Sequence, residues 1–281
     1  MINYWYSLVN SILPFQWAEL DFMKNALLAV LLISPIFGII GTMIVNNKMA
    51  FFSDALGHGA FTGVAIGSIL GILNPVIAAI GFSIVFSVLI TIVKNKSKDS
   101  TDTIIGIFSS IAISGGLVLL SVGGKNINKY ARYLYGDLLG ITPSDIIMLL
   151  IVFVGVIILW LLLFNKMLLI SVNQSLARSR GINTLLVEIV FTSAVAVIVT
   201  VAIQWVGLLI INSLVVLPAA AARNVTVNVR QYHLISVIIA LVSGLSGLIL
   251  SYYWNSTTGA TIVLISAGIY FLTLALKNRV G

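Results

Sequence analysis

Long runs of hydrophobic residues, separated by short polar breaks, make up most of the chain. A helix needs about 20 mainly apolar residues to cross a bilayer. Eight runs are candidates for crossing helices and a ninth is equally apolar; they cover approximately residues 23–45, 52–72, 75–94, 103–122, 144–165, 184–203, 206–222, 233–253 and 259–276. This pattern predicts an all-α polytopic membrane protein with eight or nine transmembrane helices.

Two of these runs are weaker candidates for a full crossing. Residues 52–72 are rich in glycine, alanine and serine, and residues 206–222 form a short run that includes Pro218. Proline breaks helices but is tolerated in a membrane where neighbouring segments satisfy the freed carbonyl. Either run could therefore be broken or span only part of the bilayer, and Pro218 is either a packing kink or a gating point.

The first 21 residues differ from the later runs because aromatic side chains are mixed there with polar neighbours. The aromatic residues are Tyr4, Trp5, Tyr6, Phe15 and Trp17. Such a segment is typical of an amphipathic helix that lies in the membrane interface. We expect no cleavage, since a basic n-region is absent and Glu19 and Asp21 precede the first long run. The chain is thus divided into an interfacial segment, residues 1–21, and a single transmembrane domain, residues 22–281.

The composition excludes a soluble or a disordered chain. Hydrophobic residues make up 60% of the chain and charged residues only 8%, with a mean hydropathy of +1.15. A soluble domain carries about 25% charged residues, which cover its surface. The absence of cysteine excludes a disulfide framework, a cysteine-ligated metal site and a thiol nucleophile.

Basic residues concentrate in the polar breaks and give the chain a formal net charge of +7. This distribution indicates membrane topology and contact with lipid headgroups, with no nucleic acid partner. If residues 52–72 cross, Lys48 and three basic breaks share one side, which the positive-inside rule makes cytoplasmic, with the N-terminus outside. The breaks contain Lys94, Lys96, Lys98, Lys166, Arg178, Arg180, Arg223 and Arg230. Lys125, Lys129 and Arg132 then lie outside and oppose this orientation.

Several common motifs of nucleotide-binding and hydrolytic proteins are absent. The stretch Gly123-Gly124-Lys125-Asn126 lacks the upstream glycine and the following Ser or Thr of a phosphate-binding Walker A loop. No H-E-x-x-H or G-x-S-x-G signature occurs. The chain therefore does not bind ATP by that loop, and we do not expect it to be an enzyme.

Two ionisable residues, Asp54 and His58, stand at the start of an otherwise uncharged run. Four residues apart on a helix, their side chains share one face about one turn apart. An ionisable side chain in a membrane segment costs about 2.5–3.5 kcal/mol on insertion scales and by default suggests a functional site. A carboxylate oxygen and an imidazole nitrogen suit Zn²⁺ or Mn²⁺.

Two ligands are too few to close a metal site, but a second copy of the chain across a two-fold axis would bring the number to four. A structural interpretation of the same residues is also open. Ser53 or Asp54 could cap the N-terminus of the helix, with His58 at the level of the lipid headgroups.

The glycines that follow this pair recur every four residues, at Gly59, Gly63, Gly67 and Gly71. This spacing is the small-xxx-small pattern of closely packed membrane helices. It predicts that one face of the helix packs tightly against a neighbour, and it does not account for Asp54 or His58.

The polar break at residues 173–183 has a helix-like core that ends at Gly181, a usual C-terminal stop. It is too short and too polar to cross, and it would lie as a short helix on the basic face. There it could dock a soluble partner, through Ser175, Leu176, Ala177, Arg178 and Gly181. A plain connecting loop is the alternative.

Glu188 lies just beyond this polar break, early in the next hydrophobic run. It is interpreted as a first-turn carboxylate that complements the helix dipole.

Four segments of the chain carry a resemblance to a known family. They are Met49 to Ala60 with the glycines as far as Gly67, Ser171 to Ile182, Val206 to Arg223, and Ser251 to Val263. In this order they resemble the permease subunits of ATP-binding-cassette (ABC) importers for zinc and manganese. The resemblance covers approximately residues 22–276.

The resemblance implies how such a chain works. Two permease copies would form a pore on a two-fold axis, two cytoplasmic ATP-binding subunits would dock on residues 173–183, and an extracellular or periplasmic metal-binding protein would deliver the ion. Asp54 and His58 match the pair placed on the metal path. The transported ion would be Zn²⁺ or Mn²⁺, possibly Fe²⁺, with no permanently bound cofactor, and the protein would be a multi-pass component of the cell membrane.

Three other functions remain open on the sequence. One is a structural or accessory membrane subunit without a transport path, which would tolerate substitution of Asp54. An ABC permease for an iron chelate would need a wider path and is usually longer. A stand-alone secondary transporter or channel for divalent cations would carry several buried carboxylates and no docking helix, whereas acidic residues are scarce here. The choice between metals is also open, because their ligand preferences overlap.

Overall fold

The computed structural model describes residues 2–12, 15–72, 74–124 and 131–280, and within them it is helical without any strand. The helices are α1 (Ile2–Ile12), α2 (Gln16–Glu19), α3 (Asp21–Asn46), α4 (Phe52–Ile69), α5 (Pro75–Lys96), α6 (Thr101–Val122), α7 (Ala131–Tyr135), α8 (Pro143–Val172), α9 (Gln174–Ser179), α10 (Thr184–Val206), α11 (Leu208–Val225), α12 (Val229–Trp254) and α13 (Thr258–Val280). Each of the nine hydrophobic runs has become one long helix, so the predicted all-α polytopic class is confirmed.

Seven helices of the described chain are long and apolar enough to cross a bilayer, namely α3, α5, α6, α8, α10, α12 and α13. The other two long helices, α4 and α11, correspond to the runs that were the weaker candidates. In α4 an aspartate, a histidine and repeated glycines lower the hydropathy. The helix α11 has 18 residues, and Pro218, Arg223 and Asn224 are among them. Pro218 lies inside α11 without ending it.

The chain divides into two compact units, and the first contains both termini. It is made of Met1–Thr42, Asp137–Gly155 and Ser213–Gly281. Within it the Ser236 hydroxyl on α12 donates a hydrogen bond of 2.7 Å to the Gly38 carbonyl on α3. At Gly247 the α12 backbone comes so close to α13 that a β-carbon would lie 2.4 Å from a side-chain atom of Ile262. Small residues thus allow α12 to approach both of these neighbours.

The N-terminal helix predicted from the aromatic residues is present as α1, followed by the single turn of α2. The Trp5 indole donates to the Lys24 carbonyl at 2.9 Å, and the Tyr6 hydroxyl donates to the Asn25 amide oxygen at 2.8 Å. Tyr4 is largely exposed. The segment is therefore anchored to the start of α3 by two polar contacts, and its position in the membrane interface stays a prediction.

The second unit, Met43–Gly136 and Val156–Asn212, is built around α4. Most of the side chains of α4 are buried, although it is the least hydrophobic of the long helices in this unit, because α5, α6 and α10 surround it. Its inner residues belong to a core of Ala60, Phe61, Val64, Ala65, Ala79, Leu120, Tyr133, Ile203 and Leu208. A helix with small residues on its surface can take this central place because backbones approach closely there.

Candidate functional site

Asp54 and His58 meet on one face of α4, as their spacing predicts. Asp54 Oδ2 lies 3.5 Å from His58 Nε2, and the two side chains are 35% and 13% exposed, respectively. The pair stands within the first two turns of the helix. A carboxylate and an imidazole thus lie side by side, and both side chains are partly exposed at the surface of the chain.

The interpretation of Ser53 or Asp54 as a helix cap is wrong. The N-cap of α4 is Phe51, and no side chain makes a capping hydrogen bond there. Asp54 belongs to the first turn and directs its carboxylate to His58 instead. Its position near the helix N-terminus still favours the negative charge.

His58 has a second notable feature, which is the state of its other ring nitrogen. Nδ1 is buried and has no hydrogen-bond partner among the described residues. A buried polar atom without a partner is unfavourable by about 1–3 kcal/mol. Structures retain such atoms mainly where strain, function or an additional bound species explains them. One nitrogen of the imidazole thus faces Asp54, and the other is satisfied by no group of the described residues.

A third polar atom comes from α6, where the Ser109 hydroxyl donates to Asp54 Oδ2 at 3.3 Å. The sequence did not indicate Ser109, since it lies 55 positions away and carries no distinctive motif. Within the part of the chain that the structure describes, no group of three or more His, Cys, Asp or Glu side chains could hold a metal ion. One chain thus offers two strong ligands and a neighbouring hydroxyl, which is fewer than a closed site needs.

The glycines of α4 lie against α5. A β-carbon at Gly59 would stand 2.8 Å from the Phe86 ring, and one at Gly63 would stand 2.6 Å from the α-carbon of Ala79. At Gly67 the nearest atom, the β-carbon of Ala78, would be 2.7 Å away. Real β-carbons do not approach so closely, so this face of α4 accepts only glycine without a shift of α5.

The polar break at 173–183 contains a helix of six residues, α9. The Asn173 side chain accepts a hydrogen bond from the Leu176 amide at its start, and Gly181, with φ of 75°, follows its end. Ala177 is buried, while Leu176 is 43% exposed. Arg178 donates from Nε to the Thr184 hydroxyl at 3.2 Å, which links α9 to the start of α10. The helix therefore presents Leu176 outward on a fixed base.

Glu188 has a different role from the one expected for a first-turn carboxylate. It lies beyond the first turn of α10, is buried, and forms an ion pair with the Lys94 ammonium of α5. Asn95 donates to its other carboxylate oxygen at 2.7 Å. The dipole interpretation is wrong, because the partners of Glu188 come from a segment more than 90 residues away along the chain. Local sequence carried no signal of this pairing.

A polar cleft of about 520 Å³ opens between α9 and the ends of five other helices, α3, α5, α6, α8 and α10; we call it the α9 cleft. Its lining is formed by Asn46, Asn47, Lys48, Lys94, Asn95, Ser97, Thr101, Ile170, Ser171, Val172, Asn173, Gln174, Arg178 and Glu188. The cleft brings Lys48, Lys94 and Arg178 to the same end of the second unit, as the topology from the basic breaks predicts. Lys125 and Lys129, which opposed this orientation, lie outside the described residues. Which side of the membrane the cleft faces stays a prediction.

These features define a class of protein, the transmembrane subunit of a transport system. The described chain has seven helices that are long and apolar enough to cross a membrane. It also has a carboxylate–imidazole pair on a glycine-rich helix, and a short helix in a polar break. The chain belongs to the ABC 3 transport family, whose sequence model matches residues 19–277. It is therefore a multi-pass permease subunit of an ABC transporter, and the resemblance found in the sequence is confirmed.

Similar proteins extend over nearly the whole chain. The high-affinity zinc uptake system membrane protein ZnuB of Haemophilus influenzae is 30% identical over 92% of this chain and 99% of its own length. The manganese import system permease protein ScaB of Streptococcus parasanguinis is 32% identical over 93% of each chain. Among solved structures, PsaBC from Streptococcus pneumoniae in complex with Fab matches with a TM-score of 0.79 and 26% identity, over 97% of this chain and 95% of that one.

Proposed function

We propose that the chain is the membrane-spanning subunit of an importer that moves Zn²⁺ or Mn²⁺ into the cell. The observation that carries this proposal is the Asp54–His58 pair. Asp54 Oδ2 and His58 Nε2 lie 3.5 Å apart, and His58 Nδ1 has no hydrogen-bond partner among the described residues. Carboxylate oxygen with imidazole nitrogen is a ligand set for both metals. The printed names of the relatives, a zinc uptake protein and a manganese import permease, point to the same two ions.

The metal is cargo, so it must be held and then released. One chain supplies two ligands, and a homodimer with the two pairs facing each other would supply four. Affinity at such a site has to be modest, since conduction requires that an ion leave as well as enter. The partial exposure of Asp54 is consistent with a pair that water can reach when the ion departs.

The energy for transport comes from partners in this proposal. Two cytoplasmic ATP-binding subunits dock on α9, through Leu176 and its neighbours, and a metal-binding protein outside the cell delivers the ion. When the ATP-binding subunits close, they displace α9, and the helices rock so that the site opens inward. Gly181 ends α9 sharply and so keeps it a separate docking element.

The remaining parts of the chain have supporting roles. Residues 1–21 lie in the membrane interface, and residues 22–281 act as one permease domain. Gly59, Gly63 and Gly67 hold α4 against α5, and Pro218 provides a bend in α11 during gating. The chain has no nucleic acid partner and keeps no permanent cofactor. Its place in the ABC 3 family leaves a stand-alone secondary transporter without support.

The test is the metal content of cells, measured by mass spectrometry in metal-poor medium. A strain without its own importers receives the chain with its ATP-binding subunit, the chain alone, or the pair with Asp54→Ala. We expect one metal to be restored by the complete pair only. Asp102→Ala is the matched control, because Asp102 is also a first-turn carboxylate in the second unit but lies at the exposed start of α6.

The outcomes separate the parts of the proposal. Restoration by the wild type that Asp54→Ala abolishes and Asp102→Ala preserves supports the importer, its cargo and its site together. Normal import by Asp54→Ala would remove the site but keep the importer. Restoration of no metal by the wild type pair would overturn metal import, and restoration by the chain alone would overturn the need for an ATP-binding subunit.

A further inference from the structure

Lys48, the second residue after α3, has a left-handed backbone conformation with φ of 56°. Among the described residues, the only other non-glycine with positive φ is Asn255, at the end of α12. Glycine adopts this conformation freely and asparagine tolerates it, whereas a β-carbon makes it unfavourable for most other residues. A lysine in this place is therefore an exception within this chain.

The turn itself explains the backbone but not the lysine. The Lys48 amide donates to the Val45 carbonyl at 3.2 Å, and the Met49 amide donates to the Ile44 carbonyl at 3.0 Å. These bonds close the C-terminus of α3 in the way that usually employs glycine. Glycine or asparagine would make the same turn with less strain. Strained backbone conformations that persist are concentrated at functional sites. The lysine at this position therefore points to a role for its side chain.

That side chain lies on the rim of the α9 cleft and is exposed. Three other charged residues line the cleft: Lys94, Glu188 and Arg178. Lys94 and Glu188 neutralise each other in their ion pair. Lys48 and Arg178 are left without a carboxylate among the lining residues, so the cleft carries a net positive charge.

The rest of the lining suits a polar protein segment. Asn46, Asn47, Asn95, Asn173 and Gln174 contribute amides, and Ser97, Thr101 and Ser171 contribute hydroxyls. The volume of about 520 Å³ is in the range of ordinary ligand pockets, so the cleft has room for several side chains of a partner protein. The α9 helix forms one wall, so a partner bound on Leu176 would also reach the cleft.

We propose that the α9 cleft receives an acidic segment of the ATP-binding subunit, with Lys48 as the positive contact at its rim. The inference rests on the proposed docking of that subunit on α9 and adds a second, charged contact to it. A cleft lined by amides and hydroxyls offers directed hydrogen bonds to a protein segment. Carboxylates on the partner would neutralise the net positive charge that Lys48 and Arg178 give to the cleft.

Substitution of Lys48 tests this inference because stability and docking should change in opposite directions. Lys48→Asn and Lys48→Gly remove the charge and also relieve the left-handed strain, so the purified permease should resist heat at least as well as the wild type. Association with the ATP-binding subunit should weaken by about two- to fivefold, the range of an exposed ion pair, and should lose part of its salt dependence. Lys48→Arg should retain most of the affinity.

The measurement is the dissociation constant of the permease and its ATP-binding subunit in detergent, at low and high salt. Lys96→Asn is the control, because Lys96 is an exposed lysine in the last turn of α5 that does not line the cleft. Unchanged association of Lys48→Asn at both salt concentrations would overturn the inference. So would a loss of co-purified anionic phospholipid with association intact, which would identify a lipid site. If the wild type permease itself fails to bind the subunit, the proposed function fails instead.

Discussion

The ion pair between Lys94 and Glu188 allows a quantitative prediction. Its side chains are only 14% and 7% exposed, so removal of either partner leaves a charge that water reaches poorly. Breaking a buried pair from one side lowers the free energy of unfolding by about 3–5 kcal/mol, whereas replacing both charges by apolar groups is often neutral. We therefore expect Lys94→Met and Glu188→Leu to be strongly destabilising, and the double variant to recover most of the loss.

The double variant still lacks the carboxylate that Asn95 contacts. Asn95 donates to Glu188 at 2.7 Å, and this hydrogen bond is lost whenever the carboxylate is absent. An unsatisfied amide adds about 1–3 kcal/mol. The double variant should thus remain below the wild type by roughly this amount. Since each single variant loses about 3–5 kcal/mol, the coupling energy from the double-mutant cycle should be at least about 3 kcal/mol.

Chemical denaturation in detergent micelles, followed by tryptophan fluorescence, measures all four corners of the cycle. Lys96→Met serves as the control, since the same change at an exposed lysine of the same helix should alter the free energy of unfolding by less than about 0.5 kcal/mol. A coupling energy below about 0.5 kcal/mol, or single variants as stable as the control, would refute the role assigned to the pair.

Two further predictions concern α4. Gly63→Leu places a side chain where even a β-carbon would lie 2.6 Å from the α5 backbone, so the folded yield should fall and the protein should lose about 1–3 kcal/mol of stability or more. Gly81→Leu is the control, because nothing lies within 4 Å of a β-carbon at that position. Equal loss in both variants would contradict the packing argument. Ser109→Ala removes the 3.3 Å hydrogen bond to Asp54 and should raise the metal concentration for half-maximal import about two- to tenfold, as measured by radioactive metal uptake. Ser110→Ala is the control, because it loses only a hydrogen bond to its own helix and should leave this concentration unchanged.

Hydrophobic periodicity and polar breaks predicted the helices well, because bilayer thickness sets the length of each apolar run. The Asp54–His58 contact was also predictable, since two residues four apart on a helix must lie on one face. The cleft could not be foreseen in the same way. Lys94 and Glu188 meet only after several crossings bring the ends of α5 and α10 together, and no local pattern records that meeting.

Two details of the site depended on geometry that a sequence does not display. Ser109 approaches Asp54 from α6, and serine is too common in membrane helices to be singled out without a structure. The left-handed backbone of Lys48 was hidden because the usual signal for that conformation is glycine or asparagine. Because Lys48 is neither glycine nor asparagine, its sequence position gave no reason to expect a left-handed backbone there.

The close contact between α4 and α5 has a practical consequence for following transport. Because α4 approaches α5 closely at Gly59, Gly63 and Gly67, we expect the Asp54–His58 pair to move together with α5. The outer surface of α5, at Ile77 and Val85, is 65% and 59% exposed. A spectroscopic label there would report displacement of the Asp54–His58 pair without contact with either side chain. Because the chain has no cysteine of its own, such a label can be attached at one chosen position.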